Sequence, residues 1–188
     1  MSLWSKPRRR WLLGIPLGGF LLLGLGALGW AAFDSTLHYT NSLTFCTSCH
    51  EMRDNMLAEY QRSPHYKNAA GVRAICSDCH VPRAFFPKMQ AKMAATVNEL
   101  PKWVMGTRRP PEKFAAARLE MAEHVWARMK ANDSRECRNC HSVEAMDVAA
   151  QDSSAGKKHN VERMRARGET CIDCHKGIGH GLPPGYDE

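Results

Sequence analysis

No cysteine in this chain lies outside one recurring pattern, and no charge interrupts the stretch from Trp11 to Phe33. The first absence removes the common uses of cysteine. The eight cysteines occur as Cys46-Thr-Ser-Cys49-His50, Cys76-Ser-Asp-Cys79-His80, Cys137-Arg-Asn-Cys140-His141 and Cys171-Ile-Asp-Cys174-His175. A disulfide framework, a zinc site or thioredoxin-like redox pairs would not call for a histidine directly after every pair. Cys-x-x-Cys-His is instead the attachment pattern of c-type haem. Two thiols form thioethers to the porphyrin, and the adjacent imidazole faces the iron. Four such patterns predict four covalently bound c-type haems, with His50, His80, His141 and His175 as the near-side iron ligands.

The second absence points to lipid. The uncharged residues 11–33 follow Lys6, Arg8, Arg9 and Arg10. As a helix at ~1.5 Å per residue they would span roughly 35 Å, enough for a hydrocarbon core of ~30 Å. The run exceeds the ~7–15 apolar residues of a signal peptide. The expected organisation is a cytoplasmic basic tail (1–10), a single-pass transmembrane anchor (11–33) and an exported domain (34–188). Pro16 and the glycines are tolerable in such a helix. The spaced small residues of "GGFLLLG" are compatible with anchors pairing into a homo-oligomer. The first ten residues carry four of the seven net formal charges, so the exported part is only mildly basic and no nucleic-acid partner is expected.

There is also little chain with which to build a core. From Asp34 to Glu188 about 155 residues serve four haems, so the macrocycles must form much of the apolar interior. The expected fold is mainly α and loop-rich, with almost no sheet. The interval from Cys46 to Cys76 nearly equals that from Cys137 to Cys171, and the interval between the two pairs is far longer. His65 precedes His80 by almost the same interval as His159 precedes His175. This repetition predicts a duplicated two-haem unit, with halves at about 34–100 and 112–188.

Two helices are expected between the halves. One covers 87–100, with a stripe of Met89, Met93, Val97 and Leu100 and with Pro101 closing it. The other covers 112–131, with Leu119, Ala122, Trp126 and Met129. Both stripes are expected to pack on haem and protein, joined by a turn at 106–112. The tail 181–188 reads as an extended, poorly ordered end.

Distal ligands are in short supply. A low-spin electron-transfer haem needs a second axial ligand, commonly His or Met. Outside the motifs stand His38, His65, His124, His159 and His180. His65 and His159 qualify through the repeat. His180, in a glycine-rich loop shortly after His175, is placed to serve a neighbouring haem. His124 reads as a surface histidine and His38 as a juxtamembrane one. The first half has no counterpart to His180; Arg83 stands where one would have been useful. One iron therefore differs, and Met52, two positions after His50, marks the first haem. Met52 either replaces His50 on the near side or simply packs.

The strings "FCTSCHEMRD", "SPHY", "GVRAICSDCHVP", "RMKANDSRECRNCH" and "TCIDCHKGIGH" resemble the NapC/NirT family of membrane-anchored tetrahaem quinol dehydrogenases. The resemblance runs from the anchor almost to the C-terminus. It implies a protein on the periplasmic face of the bacterial inner membrane that oxidises the quinol pool. The electrons would pass to a soluble periplasmic reductase, nitrate reductase being preferred. It also implies that Met52 binds the first haem, leaving the opposite face open beside the quinol, and that Lys88 lines the quinol pocket. Two departures stand out. Ala95 occupies the position of an aspartate that accompanies the lysine in one branch, and Arg83 replaces a histidine found in close relatives. No fifth Cys-x-x-Cys-His is present, which disfavours pentahaem relatives.

Quinol oxidation releases two protons with two electrons, so a titratable group is needed near the first haem. Helical periodicity brings Lys92 and Glu99 to nearly the same face as Lys88. Lys88 would hold a quinol oxygen, and Glu99 or Lys92 would take or relay a proton. The bland alternative is a solvated charged face. A haem-binding scaffold, or a plain shuttle without its own quinol site, is the competing class.

Overall fold

The computed structural model describes residues 11–12, 15–105 and 111–186. The basic tail 1–10 and most of the expected connecting turn lie outside the described residues, as do the side chains of Glu99 and Leu100. The chain is mainly helical, as expected. A two-residue antiparallel pair, Trp11–Leu12 with Ile15–Pro16, precedes the first helix.

That helix, α1, spans Leu17–Tyr39 rather than 11–33. Its length matches the expectation, but it starts later. Pro16 occupies the N-cap in an extended conformation (φ −60°, ψ 147°). Proline lacks an N–H and disfavours helix in the residue before it, so it starts a helix more readily than it continues one. At the other end α1 runs past Asp34, which pairs with His38 one turn later at 3.6 Å. α1 is long and apolar enough to cross a membrane and fits a single-pass anchor.

The next elements are built around the motifs. α2 (Leu43–Cys46) starts at Ser42, whose hydroxyl accepts from Phe45 N–H. A π turn at Met52–Met56 leads into α3 (Leu57–Arg62). α4 is Cys76–His80, α7 Arg135–Arg138 and α10 Cys171–Cys174. α8 (Ser153–Lys158) and α9 (Val161–Arg167) fill the gap before α10. The duplication reappears in the local capping. Asp78 accepts from Ile75 N–H at 2.9 Å, and Asp173 accepts from Thr170 N–H at 2.8 Å. Both aspartates immediately precede the second cysteine of the second motif in their half. The first motifs carry Ser48 and Asn139 there instead.

α5 spans Phe85–Val104 and α6 Pro111–Ala131. Pro101 does not close α5. The helix continues through it, with Met105 N–H bonding the Pro101 carbonyl at 2.9 Å. A proline removes one backbone donor and crowds the preceding turn, but it leaves the turn after it able to form. The apolar stripe of α5 also departs from expectation. Met89 is half-buried, but Met93 and Val97, with Phe86 beside them, are 68%, 71% and 81% exposed. At about 100° per residue they lie opposite Lys88, while Lys88 and Lys92 face the protein. The α6 stripe behaves as expected: Met129 is buried, Leu119, Ala122 and Trp126 are half-buried, and Phe114 joins them.

The side-chain core is small: Tyr60, Phe114, Met129, Val143, Met164 and Ile172 are its buried apolar members among the described residues. The chain exposes 13795 Å², where a compact monomer of this mass would expose roughly 9,000 Å². The tail is not loose. Tyr186 packs edge-on against Trp126 at 5.1 Å, and Lys176 Nζ sits about equally over both rings and donates to the Tyr186 hydroxyl. Pro183 is buried. The missing signal was tertiary: a glycine- and proline-rich end docks when aromatic partners are already fixed on a helix.

Ser134 ties the third motif to the fourth. Asp133 and Ser134 both take positive φ, 57° and 48°, and end α6 with Ser134 N–H bonding Met129 O at 2.7 Å. The fully buried Ser134 hydroxyl accepts from Ile172 N–H at 3.1 Å. Ser134→Ala strands that amide and is expected to destabilise the protein by about 1–3 kcal/mol. The measurement is a lower denaturation midpoint at unchanged haem content.

Candidate functional site

The packing of the motif helices sets which Cys-x-x-Cys-His motifs are neighbours. The thiols of Cys46 and Cys76 are in hydrogen-bonding contact, and so are those of Cys137 and Cys171. Contact within each pair lowers one thiol and raises the other, Cys46 and Cys171 being lowered by the hydrogen bond from their partners Cys76 and Cys137. Thus the first cysteines of the two motifs meet within each half. Across the halves Cys79 lies near both cysteines of the third motif: burial raises its thiol, charge on Asp78 and Cys140 adds to it, and charge on Cys79 in turn raises Cys137. α4 packs on α7 at this junction. Arg83 bridges it, lying 3.6 Å from Asp78, 3.5 Å from the Asn139 carbonyl and 3.7 Å from Cys140 Sγ. The residue that stands in place of a histidine therefore serves as a strut between halves.

Imidazoles meet in three pairs. Ring centres lie 6.2 Å apart for His65 and His141, 6.2 Å for His80 and His180, and 5.9 Å for His159 and His175. A metal between two imidazoles, with bonds of about 2.0–2.1 Å as for zinc, separates the ring centres by about 6 Å. The pairs therefore fit an iron held from both sides. Other observations agree. His159 Nδ1 lies 2.6 Å from Gln151 Oε1; as a donor there it leaves Nε2 for metal, the usual outer partner of a ligating histidine. His65 and His180 differ from it in that their buried Nδ1 has no hydrogen-bond partner. Burial holds the His180 imidazole below its ordinary value, with the Arg118 charge also lowering it against Glu59. This favours the neutral form that a metal requires. Close approach also matters: a Cβ on Gly156 would stand 2.6 Å from the Val148 carbonyl, so only glycine lets α8 cross there on its way to His159.

Two of the three pairs cross between halves. His65, from the first half, faces His141 in the second; His180, from the second, faces His80 in the first. Only His159 stays within its own half. His50 faces no second imidazole among the described residues. Met52 opens the π turn and is 38% exposed; such turns often mark functional sites, and nothing in the sequence signalled it. His124 is exposed on α6, and His38 lies on α1 beside Asp34.

The proposed quinol residues gather at the end of the anchor. Lys92 Nζ donates to Thr40 Oγ1 at 2.7 Å. Burial lowers the Lys92 ammonium, the Cys46 thiol raises it, and the Lys88 charge lowers it further, so the three groups are neighbours. Ser77 donates to the Asn41 carbonyl at 2.7 Å, fixing the second motif to the same turn. Glu99 lies outside the described side chains.

Comparison with known proteins extends these observations over the whole chain. Residues 8–185 match the model of the NapC/NirT cytochrome c family, N-terminal region. The denitrification system component NirT of Stutzerimonas stutzeri is 48% identical over 190 residues, covering 100% of this chain and 91% of that protein. The cytochrome c-type protein NapC of Escherichia coli K12 is 48% identical over 182 residues, 96% of this chain and 87% of that protein. NapC of Paracoccus pantotrophus is 50% identical over 181 residues, 95% and 74% of the respective chains. No solved structure matches the chain. With a match that takes in the anchor, all four motifs and every paired histidine, the chain belongs to the NapC/NirT cytochrome c family of haem-binding electron-transfer proteins.

Proposed function

We propose that the chain is a quinol dehydrogenase. It oxidises quinol at the outer surface of the bacterial inner membrane and delivers electrons to a soluble periplasmic reductase. The observation that carries this reading is the meeting of Cys46, Lys88 and Lys92 with Thr40 at the end of the apolar helix. A lipid-borne substrate arrives there, where α5 meets the end of the same helix through Lys92 and Thr40. Lys88 holds a quinol oxygen, and Lys92 or Glu99 relays a released proton.

In this reading the haems, when bound, supply one-electron carriers between quinol and reductase. The chain's part is to hold them. The eight motif cysteines attach them, and His65, His159 and His180 complete three iron sites opposite His141, His175 and His80. At the first motif Met52, in place of His50, would hold the iron. The contacts of Cys46 with Cys76 and of Cys137 with Cys171, with α4 packed on α7 between them, support transfer in motif order, from membrane to reductase. Nitrate reductase is the preferred partner through the NapC relatives, although NirT is equally similar at 48%.

The test is quinol-dependent reduction of the purified tetrahaem chain in liposomes. Lys88→Ala is expected to slow quinol oxidation by about tenfold or more, the effect of losing a charge-assisted hydrogen bond. Haem reducible by dithionite should stay unchanged. Full quinol-dependent rates in the variant would place the quinol site elsewhere. Reduction by dithionite but never by quinol would leave a shuttle or scaffold.

A further inference from the structure

His180 stands in the sequence Lys-Gly-Ile-Gly-His-Gly-Leu, where glycine alternates with other residues from Gly177 to Gly181. Glycine loses more conformational freedom on ordering than any other residue. An axial ligand carried on such a loop would repeatedly leave its iron unless the loop were fixed independently. Gly177 turns the chain at φ +79°, with Leu182 folded against it. Beyond that, both backbone groups of Gly181, the residue next to His180, are gripped. Its N–H donates to Glu59 Oε2 at 2.8 Å, and its carbonyl accepts from Arg118 Nη2 at 2.8 Å.

Glu59 and Arg118 are themselves paired through both guanidinium nitrogens, with Arg118 Nη1 donating to Glu59 Oε1 at 2.7 Å. The pair is largely shielded, with side chains 25% and 18% exposed. Burial raises the Glu59 carboxyl, but the hydrogen bonds from Arg118 and Gly181, with the Arg118 charge, outweigh it and hold the group below its usual value. Glu59 comes from α3, where its neighbour Tyr60 is buried and donates to the Ala74 carbonyl at 2.7 Å. Arg118 comes from α6. Two-point, charge-assisted pairing fixes direction as well as distance, so the loop is held by α3 and α6 rather than by its own glycines.

We propose that Glu59 and Arg118 are positioning residues for the sixth ligand of the second iron: by clamping Gly181 they hold His180 across from His80. This rests on the reading that His80 and His180 share an iron. The clamp removes loop entropy before ligation, so His180 stays bound through redox cycling.

The test uses the full chain with its four haems, in detergent. Low-temperature magnetic circular dichroism counts high-spin haem, and carbon monoxide binding to the reduced protein counts open iron sites. Glu59→Ala and Arg118→Ala are each expected to lower the ratio of bound to unbound His180 by about 10–100-fold, the range for losing hydrogen bonds to charged groups. One more open site than in the unsubstituted protein should appear. Because the two residues act as a unit, the double variant should be no worse than either single one. Added imidazole should restore the low-spin spectrum, and an unchanged far-ultraviolet circular dichroism spectrum separates loss of the ligand from a general loss of structure.

His180→Ala separates the two ideas. If it opens a site while Glu59→Ala and Arg118→Ala do not, the clamp is wrong and the ligand reading stands. If His180→Ala opens no site, the ligand reading is wrong. Where an alanine variant loses haem altogether, Glu59→Gln and Arg118→Lys take its place. Faster carbon monoxide binding than in the unsubstituted protein then supports the clamp, and an equal rate overturns it.

Discussion

His65→Ala is expected to open the third iron site and leave the second intact. His65 precedes the second motif in the chain but faces His141 of the third, with ring centres 6.2 Å apart. His80 faces His180 at the same separation. Removing His65 therefore leaves His141 as the sole protein ligand of its iron and converts that haem wholly to high spin. The unsubstituted protein is expected to show three bis-histidine haems and one of different ligation. Four bis-histidine haems would remove the role given to Met52. In His65→Ala the bis-histidine count should fall to two, and in the double variant with His180→Ala to one. If both histidines served a single iron, the double variant would lose no more than either single one.

A second large effect is expected from dividing the chain. Produced apart, residues 34–105 and 112–188 each keep their Cys-x-x-Cys-His motifs and so their haem attachment. They do not keep their ligands. The first segment loses His180 from His80, and the second loses His65 from His141, leaving His159–His175 as the one pair intact. The Glu59–Arg118 pair and the Arg83 strut also join one segment to the other. The first segment is expected to bind carbon monoxide at both reduced haems, the second at one of its two. Mixing the segments should recover low-spin haem with a dependence on concentration, because the pairs re-form only on association. A first segment that is low-spin by itself at the second haem would show that His65 can serve His80, and would refute the exchange.

These expectations show where spacing alone stops. His65 and His159 occupy equivalent positions ahead of the second motif in their halves, and the repeat implies equivalent partners. The structure gives them different ones. Packing of α4 on α7 brings the first half's loop over the third motif, while Gly156 and Gln151 steer His159 to its own half. The α5 stripe departs from expectation for a similar reason. Periodicity finds an apolar face but not its direction, and the Lys92–Thr40 hydrogen bond turns this one outward. The clamp is equally illegible in the sequence. Glu59 and Gly181 are 122 residues apart, and nothing near either marks the other.

The sequence by itself determined the four Cys-x-x-Cys-His motifs, their spacing and the presence of one apolar helix. Each depends on covalent chemistry or on neighbours within a turn or two of chain. Tertiary structure alone decided which imidazoles face one another, that two of those pairs join one half to the other, and that the anchor's end meets Cys46, Lys88 and Lys92. Those are distances between segments far apart in the chain. They follow from how short helices pack, which local spacing does not encode.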